Sequence, residues 1–182
     1  IGISLSIPQG YWGGFDPDCR NLTYVECNLT GDNGRLVIDR PFLNKTGTLA
    51  IWMQIKPRSG DKQGYLLSTE YVSLGYEVSQ DHITPFLQIG GRRKKVTPFL
   101  ANQFGLFAWK WRPSDSGMTH SLFWKPLNED IKKLGSFKTS EAVGEITPPI
   151  IIFNDRNCHN PFRGCVLCFA VWDQNLKVEE LN

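Results

Sequence analysis

The most concentrated charge in the sequence is a run of four basic residues that follows Gly90-Gly91, a pair typical of a tight hairpin turn. The run consists of Arg92, Arg93, Lys94 and Lys95. Guanidinium and ammonium groups pair with sulfate, carboxylate or phosphate oxygens. We expect these side chains to project from both faces of a hairpin tip. Two interpretations stay open: a contact for an anionic glycan or a protein, or a solvated edge that prevents strand addition.

Residue patterns that would indicate catalysis are scarce. A glycoside hydrolase needs two carboxylates about 5–9.5 Å apart, and no predicted strand carries acids at alternating positions. Glu129-Asp130 lie in a polar stretch and Glu179-Glu180 in a C-terminal turn. His159 adjoins Cys158, but neighbours in sequence are rarely a nucleophile and its base. We therefore expect a binding protein, not an enzyme.

Cysteine spacing favours disulfides. Cys19 and Cys27 flank a seven-residue loop that they could close, and two of Cys158, Cys165 and Cys168 could pair, leaving one thiol over. A zinc or redox site is the alternative. Cys165 and Cys168 lie three apart in a predicted strand and would point to opposite faces, which argues against a thiolate metal site.

Glycosylation sequons indicate the compartment. Asn21, Asn28 and Asn44 each begin an N-x-T sequon. The chain does not begin with Met, which fits a processed chain or an ectodomain. We expect a secreted protein or the extracellular part of a membrane protein. The net charge of +2 gives no field that would attract nucleic acid, and the longest apolar stretch, 148–153, is too short to cross a bilayer.

Aromatic residues suggest two further surfaces. Tyr11 and Trp12 lie in a loop rich in glycine, where they could form an exposed contact. Trp109 and Trp111 share one face of a predicted strand, and Lys110 faces the other way. That tryptophan pair is either core or a platform for stacking sugars.

Short strands separated by turns must position all of these residues. Alternating or apolar runs predict strands at 3–7, 35–38, 48–55, 64–69, 71–78, 85–89, 96–100, 106–112, 120–124 and 165–172. The first is expected at a sheet edge and 48–55 at a sheet centre. Asn128-Glu129-Asp130 could cap a short helix that ends near Lys132-Lys133. This spacing is typical of an all-β sandwich, and 182 residues suit one domain.

The segment from Phe162 to Leu181 resembles the C-terminal signature of laminin-G, pentraxin and concanavalin A-like domains. It combines a Gly164 turn, a small and apolar strand ending at Trp172-Asp173, and Leu176 followed by Glu179-Glu180. The pair of strands 48–55 and 64–69 also resembles the laminin-G pattern. The resemblance covers about 35–182 and implies an antiparallel jelly roll with a short C-terminal helical turn. Residues 1–34, an N-terminal strand and a disulfide-closed glycosylated loop, would belong to the same domain.

The resemblance also implies ligands. Calcium would bind at the rim of the sandwich through the loop 154–157, which includes Asn154 and Asp155. Because calcium needs six to eight oxygens, Asp32 and Asn33 or Glu145 would have to converge there. Heparan-type glycans would bind the basic run. The polar stretch 125–134 departs from the family pattern.

Taken together, these patterns predict a non-enzymatic extracellular binding module of an adhesion or attachment protein. Its partner would be a heparan-like or sialylated glycan, or a cell-surface protein. The alternative is a structural domain for oligomerisation.

Overall fold

The computed structural model describes residues 3–4, 36–38, 45–140, 150–157, 159–172 and 174–181. These ranges hold thirteen strands and a short 3₁₀ helix, Val178–Leu181. In chain order the strands are β1 Ile3–Ser4, β2 Leu36–Ile38, β3 Gly47–Ile55, β4 Gln63–Ser68, β5 Val72–Ser79, β6 His82–Ile89, β7 Arg92–Lys95, β8 Phe99–Leu100, β9 Phe104–Ser114, β10 Gly117–Pro126, β11 Lys132–Thr139, β12 Ile150–Ile152 and β13 Gly164–Trp172.

The strands form two antiparallel sheets packed face to face. The six-stranded sheet has the order β1-β13-β3-β9-β10-β11, and the seven-stranded sheet has the order β2-β12-β4-β5-β6-β7, with β8 beside β6. The predicted all-β antiparallel sandwich of jelly-roll type is confirmed, as is the short C-terminal helical turn. β1 lies at a sheet edge and β3 near a sheet centre, as their sequences predict.

Alternation along each strand places one row of apolar side chains between the sheets. From β9 the inward row is Phe107, Trp109 and Trp111, all fully buried. The two indole rings lie 4.5 Å apart. The tryptophan pair therefore belongs to the core and is not a surface for stacking sugars.

The turn at Gly90-Gly91 explains where the basic run lies. Both glycines have positive φ, 53° and 81°, as a two-residue hairpin of the primed type requires. The turn pairs Ile89 with Arg92, so the basic residues form the edge strand β7. They follow the turn directly and alternate between the two faces of the hairpin, while the two glycines complete the turn by themselves.

The helix expected after Asn128 is also absent. Asn128 has a φ of 69° in a turn, and strand β11 begins at Lys132. β11 pairs with β10 along its length, and its Leu134 joins the core. Pairing and burial therefore outweigh the capping signal of the acidic residues.

The C-terminal segment covers part of the outer face of the six-stranded sheet. Leu176 and Leu181 are buried there against Ala50, Ala108 and Phe123. Thr48 Oγ1 donates to the carbonyl of Gln174 at 2.9 Å and accepts from the N–H of Leu176 at 3.0 Å. Across the described ranges, no helix has the length and apolar character needed to cross a membrane.

Candidate functional site

The outer face of β9, β10 and β11 brings together polar side chains that are far apart in sequence. Since Trp109 and Trp111 point inward, Lys110 and Arg112 point outward. The strand register sets Arg112 opposite Thr119 and Lys110 opposite Ser121. On the other side of β10, Thr119 lies opposite Lys138 and Ser121 lies opposite Ser136. We call this surface the β9–β11 face.

This surface is basic because its three strands carry lysine and arginine but no acidic residue. β9, β10 and β11 carry no Asp or Glu at any position. Five of their basic residues belong to the outward rows: Lys110, Arg112, Lys125, Lys133 and Lys138. A sixth, Lys132, lies opposite the core residue Trp124 and pairs with Glu129. A chain with a net charge of only +2 thus concentrates positive charge on one surface.

A pocket of about 210 Å³ opens on this face. It is lined by Lys110, Arg112, Thr119, Ser121, Phe123 and Asn175. The five strand residues come from the outward rows of β9 and β10, and Asn175 comes from the C-terminal segment. Among the described residues, the lining provides two cations, two hydroxyls, one amide and one aromatic ring, and none of these lining residues is a carboxylate.

Lys110 is the most confined cation of the pocket. Its ammonium group lies 5.7 Å from the centroid of the Phe123 ring, within cation–π range. Burial lowers the pKa of Lys110, and the neighbouring Arg112 charge lowers it further, while Glu179 and Glu180 act in the opposite direction. No carboxylate of the described residues forms an ion pair with Lys110 or Arg112. Both cations are therefore available to an anionic ligand.

The basic run on β7 has a different environment. Glu77 accepts from Arg93 at 3.1 Å and from Lys95 at 2.6 Å, and these partners hold the pKa of Glu77 below its ordinary value, with the Lys95 hydrogen bond the largest cause. The Arg93 guanidinium lies 3.9 Å above the Phe86 ring. It also donates to Tyr65 Oη at 3.2 Å.

All four residues of the run are exposed, but only Arg93 and Lys95 are engaged with their own sheet. Arg92 and Lys94 alternate with them on β7 and form no ion pair with another described residue. Whether any part of the run binds a ligand stays a prediction.

The turn proposed for calcium is held by its own hydrogen bonds. Asn154 Oδ1 accepts from the N–H of Asp155 at 2.9 Å. Asp155 accepts from the N–H of His159 at 2.9 Å and from Asn160 Nδ2 at 2.5 Å. Arg156 lies 4.0 Å from Glu70. Both Asp155 oxygens already have donors, so this turn alone does not assemble the six to eight oxygens that calcium needs.

The described residues test the metal prediction only in part and do not test the disulfide prediction. In those parts of the chain, no three His, Cys, Asp or Glu side chains lie close enough together to hold a metal ion. Cys165 is buried on β13, and the side chain of Cys168 is outside the description.

Several predicted residues fall outside the described ranges. They are Tyr11, Trp12, Asp32, Asn33, Glu145, the sequon residues Asn21, Asn28 and Asn44, and the cysteines Cys19, Cys27 and Cys158. Their contact, metal, glycosylation and disulfide roles stay predictions.

His120 supports the β9–β11 face from beneath. It points into the core from β10 and is fully buried. Its Nδ1 accepts from Trp109 Nε1 at 3.3 Å, and its Nε2 lies 3.1 Å from Thr139 Oγ1. Burial lowers the pKa of His120 to about 4, so the imidazole is neutral at physiological pH. It links the inner sides of β9, β10 and β11.

Sequence reasoning did not identify the pocket. One signal was present, because the alternation that directs Trp109 and Trp111 inward also directs Lys110 outward. What the sequence does not provide is the register that places Thr119, Ser121 and Asn175 beside Lys110.

Comparisons with known proteins show similarity of fold only. No protein-family model and no curated protein matches the chain. Among solved structures, it is similar to tailspike protein 2 of an Escherichia coli O157:H7 bacteriophage, with a TM-score of 0.58, 11% identity, and coverage of 82% of this chain and 22% of that one. It is also similar to the CBM40 of the Ruminococcus gnavus IT-sialidase, with a TM-score of 0.51, 14% identity, and coverage of 75% and 80%.

A third similar structure is xylan β-1,4-xylosidase from Bacillus halodurans C-125, with a TM-score of 0.52, 11% identity, and coverage of 75% of this chain and 29% of that one. The chain shares an antiparallel β-sandwich fold with these structures. These similarities do not assign it to the laminin-G, pentraxin or concanavalin A-like superfamily. It spans about a fifth of the tailspike chain and four fifths of the sialidase module.

Proposed function

We propose that this protein is a non-enzymatic module that binds an acidic glycan in the pocket of the β9–β11 face. The observation that carries the proposal is the pair Lys110 and Arg112. They form no ion pair with another described residue, and they lie beside the Thr119 and Ser121 hydroxyls in a pocket whose described lining includes no carboxylate.

The lining suits a charged sugar. Guanidinium and ammonium groups form short, charge-assisted hydrogen bonds with carboxylate or sulfate oxygens. Hydroxyl and amide groups both donate and accept, so Thr119, Ser121 and Asn175 can exchange hydrogen bonds with sugar hydroxyls. Phe123 is 7% exposed, so its ring supports Lys110 more than it stacks on a ligand.

The similar structures support a glycan ligand in general. They do not distinguish a binding protein from an enzyme, so that distinction depends on the residues of this chain. One of them is a carbohydrate-binding module, and others are enzymes. A glycosidase needs a paired acid and base or nucleophile, and no carboxylate is among the described residues that line the pocket. This lining favours binding over hydrolysis.

An extracellular location is part of the proposal and rests on the three sequons. Expression through a eukaryotic secretory pathway, followed by intact mass before and after removal of N-glycans, tests whether these sequons are used. We expect a mass loss that disappears when Asn21, Asn28 and Asn44 are all replaced by Gln. An unglycosylated secreted product would contradict the glycosylation prediction.

A glycan array tests the binding function. The double variant Lys110→Ala/Arg112→Ala should lose binding to acidic glycans, because both unpaired cations of the pocket are gone. The matched control is Arg92→Ala/Lys94→Ala, which removes the same charge from the exposed face of β7 and should retain binding. A chelator arm tests whether calcium contributes.

The opposite result for the two variants would place the glycan site on β7. If the control loses binding and the pocket variant retains it, the basic run is the glycan site. If no glycan binds the unmodified protein, a protein partner or a structural role replaces this proposal.

A further inference from the structure

Positive charge on the β9–β11 face extends beyond the pocket. Lys138 lies opposite Thr119, and Lys133 lies opposite Phe123, both on β11. Their side chains are exposed. Since Thr119 and Phe123 both point outward, these two lysines point outward as well. Neither forms an ion pair with another described residue.

Sheet geometry sets the spacing of the four cations. Two strand separations place the backbone of β11 about 10 Å from that of β9. Along β9, Lys110 and Arg112 are two residues, or about 7 Å, apart. Along β11, the partners of Thr119 and Phe123 lie roughly 13 Å apart. The cations therefore occupy the corners of an area wider than the pocket.

A single anionic group cannot satisfy this arrangement. One carboxylate or sulfate forms close, charge-assisted hydrogen bonds with one or two cationic side chains, and the pocket already supplies two. Lys133 and Lys138 would be left without partners by a ligand that ends in one acidic sugar. A chain that carries anionic groups at repeated intervals would pair with all four.

We infer that the ligand is a polyanionic glycan whose chain crosses β9, β10 and β11, with one acidic sugar in the pocket and further anionic groups on Lys133 and Lys138. This inference rests on the proposed function and specifies its ligand class. It distinguishes an extended sulfated or uronic acid polymer from a glycan with one terminal sialic acid.

The segments that border the β9–β11 face set the direction in which the glycan chain crosses the strands. The C-terminal segment covers Ala108 on β9 and Phe123 on β10, and Asn175 lines the pocket. β11 is the edge strand of its sheet. The path from the pocket toward β11 therefore leads past Thr119 and Ser121 to Lys138, and Lys133 lies beside the covered Phe123.

Titration with heparin-type oligosaccharides of increasing length tests the inference. The probes are a disaccharide, a tetrasaccharide and a decasaccharide, with 3′-sialyllactose as the singly charged glycan. We expect the affinity to rise at least tenfold from disaccharide to decasaccharide. The longer ligand should also show the steeper loss of affinity with added salt, since it neutralises more charges.

The double variant Lys133→Ala/Lys138→Ala isolates the outer lysines. It should weaken the decasaccharide about tenfold and leave the disaccharide unchanged within twofold. Lys132→Ala is the matched control, because Lys132 neighbours Lys133 but lies opposite the core residue Trp124 and pairs with Glu129 at 2.7 Å. All of these substitutions are at exposed positions, and thermal melting checks that folding is retained.

The outcomes separate the two proposals. Equal affinity for all lengths, or no effect of Lys133→Ala/Lys138→Ala, overturns the polyanion inference while the pocket proposal stands. If none of the four probes binds, both the polyanion inference and the pocket proposal are overturned. A single-stranded RNA that binds as tightly as the decasaccharide also overturns the inference, because the surface would then be selective for charge and not for glycans.

Discussion

The β7 basic run and the β9–β11 face show two ways in which a fold can use positive charge. On β7, four consecutive cations attract attention in the sequence, but Arg93 and Lys95 share the carboxylate of Glu77. On the β9–β11 face the cations are scattered through the sequence, and strand pairing gathers them without acidic neighbours on the same strands. The capacity of a surface to bind anions therefore depends on how many of its cationic side chains are unpaired. It does not depend on how many basic residues are adjacent in the sequence.

Protonation of His120, which lies beneath the β9–β11 face, gives the largest predicted change in stability. It tests whether this face requires a neutral imidazole in the core below it. Its pKa is about 4 in the folded protein and about 6.5 when unfolded. Between these values the unfolded chain binds more protons, so the free energy of unfolding falls as pH falls. From pH 7 to pH 5 we expect a loss of about 2 kcal/mol, measured by urea denaturation.

His120→Asn is the control for that measurement. The amide keeps an acceptor for Trp109 Nε1 and does not titrate in this range. The variant should be less stable at pH 7, but its stability should lose this part of the pH dependence. An unchanged pH slope would show that His120 is not the group responsible.

Arg93 tests the claim that half of the β7 run is structural. Arg93→Ala removes the guanidinium from the Phe86 ring and leaves Tyr65 and Glu77 without this donor. We expect a loss of about 1–2 kcal/mol in the free energy of unfolding, with glycan affinity unchanged within twofold.

The matched variant for Arg93 is the neighbouring Lys94→Ala, which should change stability by less than about 0.5 kcal/mol. Chemical denaturation of both proteins gives the comparison. A large loss of glycan affinity in Arg93→Ala with little change in stability would reverse the roles assigned to the two surfaces.

Glu179 gives the smallest effect. Its carboxylate interacts favourably with Lys110 through space, so it competes weakly with an anionic ligand. Glu179→Gln should tighten binding of an acidic glycan about twofold at low salt, and the gain should fade as salt screens the charges. Titration at two salt concentrations measures it, and weaker binding in the variant would contradict the proposed position of the ligand.

Much of the fold could be predicted because alternation and turn residues act locally. The apolar rows of β3 and β9 and the positive φ of Gly90-Gly91 follow from nearby sequence. β11 was missed because its core contribution is small, with Leu134 buried and Phe137 partly buried, while the preceding acidic residues resemble a helix cap. Only pairing with β10 defines it as a strand.

The site was less predictable because it depends on register and on distant partners. Lys110 and Ser121 become neighbours through the β9–β10 pairing, and Asn175 reaches them through the C-terminal segment. The neutralisation of Arg93 requires Glu77 from β5, which lies beyond β6 in the sheet. None of these contacts has a local signature, whereas four adjacent basic residues do.

Protection of lysines from acetylation tests the central claim most directly. The protein is labelled with and without a saturating heparin-type decasaccharide, and the modification of each lysine is quantified by mass spectrometry. The account predicts protection of Lys110, Lys133 and Lys138, with Lys94 and Lys132 labelled equally in both samples. Protection of Lys94 and Lys95 with no change at Lys110 would contradict it and place the ligand on β7.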